Sequence, residues 1–170
     1  MEDYSILKKN GIIMAEERGL FKHGVSIYNL GVNLRSRYIS ENIIRSTWDY
    51  HQKHGTNITD GQETRLIFQN CAYAGMCCAE DPSCDPDLLL NIFENNYGIN
   101  RIQEYVENKL NISARDSFSL TIVLRGIVQD LYNENSYLFC SPGDTEAGWE
   151  YYKAFASIMF ELGALYYLNK

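Results

Sequence analysis

The stretch GWEYYKAFASIMFELGALYYL at positions 148–168 constrains the fold more than any other part of the chain. Its polar positions are Glu150, Lys153, Ser157 and Glu161, spaced three or four apart. On a helix that spacing gathers them into one narrow stripe and leaves the remaining circumference apolar. Such a helix belongs at the centre of a core or in a subunit interface. Residues 114–132 are similarly apolar, whereas Ile99, Ile102, Tyr105, Val106 and Leu110 mark an ordinary one-sided helix.

Helical spacing continues through nearly the whole sequence, and its boundaries are marked. Ser40 stands before ENIIRSTW as a candidate N-cap. Asp60 with Glu63 makes a capping-box pattern, Asp85–Pro86 a cap followed by a first helical residue, and Ser113 with Asp116 repeats the capping logic. Ser141, Asp144 and Thr145 are candidate caps for the last helix. Gly19, Gly55 and Gly98 follow periodic runs and suit the left-handed residue that ends a helix. These signals predict helices near 4–18, 20–37, 40–54, 60–79, 86–97, 99–110, 114–133 and 145–168, with SYLFC at 136–140 as the one candidate for extended backbone. The expected fold class is all-α, an irregular antiparallel bundle of seven to eight helices in a single domain spanning 1–170. Gly31, Gly75, Gly126 and Gly163 sit among apolar or aromatic residues inside these helices. Each costs about 1 kcal/mol relative to alanine, which close approach of two helices would offset.

The charge pattern narrows the function. Twenty-two acidic against fifteen basic residues give a net charge of −7. Residues 1–55 carry +2 and residues 56–170 carry −9. An acidic surface repels phosphate, so direct nucleic-acid binding is disfavoured and a basic partner favoured. No apolar run reaches the ~18 residues of a membrane span, and the N-terminal MEDYSILKKNGIIMAEE lacks a signal-peptide core, so a cytoplasmic location is expected.

Three of the five cysteines fall in NCAYAGMCCAED. On a helix Cys71 and Cys78 share a face about 10 Å apart, too far for one metal or one disulfide. Cys77 points about 100° away from Cys78. Cys84 lies beyond Pro82, Cys140 is remote, and no C-x-x-C or zinc-module spacing occurs. The pattern reads as buried, inert thiols, with metal or redox chemistry and a Cys–His nucleophile as the alternatives. His51 and His54 lack a third ligand and read as a solvated helix end. Asp81, Ser83, Asp85 and Asp87 start like a calcium loop, but Pro86 stands where glycine is needed and Ile92 where glutamate is needed. No metal or cofactor is expected.

Two acidic tracts remain. Glu80, Asp81, Asp85 and Asp87 occur without a base, and so do Asp130, Glu134, Asp144, Glu146 and Glu150, interleaved with Tyr132, Tyr137, Trp149, Tyr151 and Tyr152. Carboxylates steer a cationic partner and aromatic rings anchor it. The expectation is a non-catalytic, stoichiometric inhibitor of a basic protein, such as an immunity protein neutralising a toxin nuclease. The alternatives are a helical enzyme or small-molecule binder with a Tyr-lined pocket, and a homodimer built on the last helix.

Overall fold

A computed structural model describes residues 5–20, 33–54, 61–81, 83–95, 101–139 and 145–169. They form seven helices and no strand: α1 (Ser5–Glu17), α2 (Asn33–His54), α3 (Gly61–Glu80), α4 (Pro86–Asn95), α5 (Arg101–Leu110), α6 (Ala114–Phe139) and α7 (Thr145–Leu168). Among the described residues the all-α bundle is therefore as the periodicity predicts. None of these helices is long and apolar enough to cross a membrane.

Helix ends follow the local chemistry. The left-handed Gly19 (φ 73°) ends α1, with the amide of Leu20 donating to the Ala15 carbonyl at 2.8 Å. Asn111 (φ 53°) does the same for α5, its neighbour Ile112 donating to Glu107 O at 2.9 Å. Asp85 accepts from the Asp87 amide at 3.0 Å and caps α4. Ser113 accepts from the Asp116 amide at 3.1 Å and caps α6. Gly55, Gly98, Asp60, Ser141 and Asp144 lie outside the described residues.

Two boundaries differ from expectation. Ser40 is not an N-cap; it is fully buried inside α2. The buried Ile39, Ile43 and Ile44 carry one helical stripe straight across it, so the helix has no reason to break there. Residues 33–37 belong to the same helix, and 21–32 lie outside the described residues. Likewise 136–139 is helical rather than extended, following a kink at Asn135 (φ −121°, ψ 15°). The Asn135 side-chain amide (Nδ2) donates to the Leu131 carbonyl at 2.8 Å and so competes with the regular backbone bond.

The core forms around α3 and α7. Residues 67–78 of α3 are all buried, as are Phe155, Ala156 and 158–165 of α7. The two helices run in the same direction. Phe68 stacks on Phe155 (centroids 4.6 Å, planes at 30°), and further along both helices Gly75 meets the backbone of Phe160 and Ala164 while Gly163 meets that of Ala72. A Cβ at either glycine would lie 1.9 Å from a carbonyl oxygen, so only glycine permits this crossing. α6 runs antiparallel to α3: Ser117 and Thr121 lie against Tyr73, and Arg125, one turn on, reaches back to Gln69. α1 covers the polar stripe of α7, with Gly11 close to Ile158 and Leu162, and Lys8 paired at 2.9 Å with the buried carboxylate of Glu161.

Candidate functional site

The connection from α3 to α4 carries the first acidic tract, and its backbone is held by its own side chains. Asp81 accepts from the Ser83 amide at 3.0 Å and the Ser83 hydroxyl at 2.6 Å. The Lys109 ammonium of α5 lies 3.6 Å from the same carboxylate. The Ser83 bonds first, then Lys109, hold the Asp81 carboxyl below its ordinary range. Asp85 is occupied at the α4 N-terminus. Asp87 accepts from the Tyr38 hydroxyl of α2 at 2.9 Å, and this carboxylate raises the Tyr38 phenol above its ordinary value. Glu80, Asp85 and Asp87 are exposed and Asp81 half-buried. Tyr38 (47% exposed) and Leu88 (43% exposed) add an aromatic ring and an aliphatic chain to this edge. Neither was singled out as a site residue from sequence, because Tyr38 lies 49 positions from Asp87 and only the packing of α2 on α4 brings it there.

The second tract does not join the first. Asp130 is paired with Arg18, while Tyr132 and Glu134 are exposed on α6. Tyr137, Glu146, Trp149 and Glu150 lie on the end of α6 and the start of α7, and their side chains, like all of Asp144, fall outside the described residues. Tyr73 lies against Ser117, and the helices run oppositely. Glu80 is seven residues from Tyr73 in one direction and Asp130 thirteen residues from Ser117 in the other. The helical rise puts the tracts about 30 Å apart along the bundle. Glu80 and Asp130 therefore stand on two surfaces, not one. Exposed Phe118 (67%) and Ile122 (56%) stand one turn apart on α6, on a segment whose apolar character suggested burial.

A polar cluster joins α3, α5 and α6. The Tyr73 hydroxyl lies 3.0 Å from Ser117 Oγ and 3.3 Å from Thr121 Oγ1. Ser117 donates to Glu107, Gln103 donates to Glu107 at 2.7 Å, and Arg125 donates to Gln69 at 3.2 Å. Burial raises the Tyr73 phenol. Ser117 meets a carboxylate but no imidazole among the described residues, and its hydroxyl is already committed, so the cluster is built to hold three helices in register. Asn70, almost fully buried on α3, has neither amide atom hydrogen-bonded.

Cys71, Cys77, Cys78 and Cys84 are all buried free thiols. Burial pushes the Cys77 thiol up to about 12 and raises Cys71 further. Sequence spacing directed attention to Cys71 and Cys78, but the structure joins a different pair. The turn after α3 returns the chain so that Cys84 Sγ lies 3.7 Å from Cys77 Sγ. Among the described residues no group of three or more His, Cys, Asp or Glu side chains is placed to share a metal ion.

Compared with known protein families, curated proteins and solved structures, the chain matches none.

Proposed function

We propose that the protein is a non-catalytic binding module that covers a cationic protein surface through the α3–α4 edge. The immunity protein of a basic toxin nuclease is the concrete form of this reading. The observation that supports it is the arrangement of Glu80, Asp81, Asp85 and Asp87 beside Tyr38 and Leu88. Asp81 is held by its turn, Asp85 by the α4 cap and Asp87 by Tyr38, and among the described residues Lys109 alone pairs with them. Carboxylates ordered before the encounter lose little entropy on binding Lys or Arg, and the ring and aliphatic chain supply apolar contact.

The test is titration against a basic nuclease toxin encoded beside this protein, at low and high salt, and the absence of any salt-sensitive complex overturns the proposal. Asp85 is left intact because it caps α4. Glu80→Lys with Asp87→Lys should weaken a salt-sensitive complex at least about tenfold, equivalent to about 1.4 kcal/mol. Asp130→Lys, on the other surface, should leave it within about threefold. A complex indifferent to Glu80 and Asp87 sinks the proposal.

The small-molecule reading draws on one observation, the unbonded buried amide of Asn70, since such groups normally find water or a ligand. A metabolite that raises the melting temperature of the protein, and not of Asn70→Leu, would select it. A homodimer seam on α7 would have to use residues outside 155–165, where the chain's own helices cover all but Ser157.

A further inference from the structure

We propose that Cys77 and Cys84 form an oxidisable dithiol, a modification site at which a peroxide-class oxidant creates an intrachain disulfide. The inference stands apart from the partner proposed above.

The two sulfurs are 3.7 Å apart with no side chain required to leave the line between them. A disulfide needs about 2.0 Å, so closure requires a shift of roughly 1.7 Å. The two positions divide that task. Cys77 is in the last turn of α3, held by helix bonds, and its carbonyl accepts from the Asp81 amide at 3.0 Å. Cys84 belongs to no helix. It is placed by a turn bond from its amide to the Asp81 carbonyl at 2.9 Å and by its thiol, 4.0 Å from the Asp85 carbonyl, next to the exposed Ser83 and Asp85. The shift therefore falls on Cys84, by rotation of its side chain and adjustment of one turn.

A cation stands beside the pair. Lys109 is held by Asp81 at 3.6 Å and lies 6.0 Å over the Tyr105 ring, and its ammonium acts electrostatically on both sulfurs. Its positive charge works against the burial that raises the Cys77 thiol. Burial pushes the Cys77 thiol up, while Cys84 stands at the edge of the core beside the exposed Ser83 and Asp85, where an oxidant from solvent arrives first.

The chemistry balances without a further reactant. The Cys84 thiolate attacks one oxygen of hydrogen peroxide, the O–O bond breaks, and hydroxide leaves and is protonated to water. The product is a sulfenic acid on Cys84. Cys77 sulfur then attacks that sulfur; the S–S bond forms, the S–O bond breaks, and a second water departs with the Cys77 proton. Two thiols and one peroxide give one disulfide and two waters, the sulfurs losing the two electrons that the peroxide gains.

The test uses the folded, full-length protein and hydrogen peroxide. Trypsin leaves Cys71, Cys77, Cys78 and Cys84 on one peptide, because no Lys or Arg occurs from 66 to 100. A protease cutting before aspartate separates Cys77 from Cys84 at Asp81 and frees Cys84 at Asp85. The expected result is loss of two of the five thiols, a mass decrease of two hydrogens, and a bridge joining the peptide that ends at Glu80 to residues 81–84. Cys78→Ser should keep the bridge and Cys84→Ser should abolish it. Fragmentation of the wild-type bridged peptide, which places the link at residue 77 rather than 71 or 78, decides the matter even where a variant folds poorly. A bridge to Cys71, Cys78 or Cys140, a bridge seen only after denaturation, or oxidation to sulfinic acid without any bridge would each overturn the proposal.

Discussion

The two faces of α3 are joined to their neighbours by opposite means. Toward α7 the contact is backbone on backbone, with Gly75 and Gly163 admitting the opposite carbonyls and Phe68 stacked on Phe155. Toward α5 and α6 it is side chain on side chain, through Gln69, Tyr73, Gln103, Glu107, Ser117 and Thr121. The first face has no spare volume and no direction, so it supplies cohesion and tolerates no added atom. The second has direction, because hydrogen bonds need aligned donors and acceptors, so it fixes how far α5 and α6 can slide along α3.

That contrast can be broken by mutation. The largest effect is expected from Gly163→Ala, whose new Cβ would lie 1.9 Å from the Ala72 carbonyl oxygen and 2.8 Å from its Cα. Backbone cannot turn aside, so the helices must separate, and the loss should be about 3 kcal/mol or more in denaturant unfolding. Tyr73→Phe comes next. It deletes a hydroxyl near Ser117 and Thr121 while Ser117 keeps Glu107, and should lower stability by about 1 kcal/mol. Equal losses from these two variants would erase the distinction between the faces. The smallest effect is expected from Gly126→Ala. Its Cβ meets only the Arg18 Nη1 tip at 2.5 Å, a side chain that can move. Weakening the partly exposed Arg18–Asp130 pair costs under about 1 kcal/mol, and the gain in helix propensity is of similar size. The net change should stay within about 0.5 kcal/mol, and a loss as large as that of Gly163→Ala would mean that α1 is seated as rigidly as α7.

The sequence was most legible where the information is local. Asp85, Ser113 and Gly19 act within a turn of themselves, and the structure places each as its neighbours dictate. Burial of α7 was legible for a similar reason: four polar residues on one stripe leave a helix little choice. Legibility failed where the deciding contact is remote. Gly75 and Gly126 look alike in sequence, yet one meets another helix's backbone and the other an arginine tip. Ser40 looks like a cap because the four residues around it cannot show that the isoleucine stripe continues. For the candidate site, the carboxylates of residues 80–87 were legible from composition, but Tyr38 and Leu88 were not. That Asp130 lies on a separate surface required the opposed directions of α3 and α6. The proximity of Cys77 and Cys84 needed the turn closed by the Cys84 amide on the Asp81 carbonyl.

The parallel crossing of α3 and α7 also bears on assembly in time. Gly75 and Gly163 are 88 positions apart, so this backbone-on-backbone contact cannot exist when α3 first leaves the ribosome. Contacts this distant along the chain slow folding, since a long loop must close before any reward arrives. Until α7 is synthesised, the Phe68–Ala72–Gly75 face stands open to water and to other nascent chains, and the interval of greatest vulnerability to aggregation is set by translation speed.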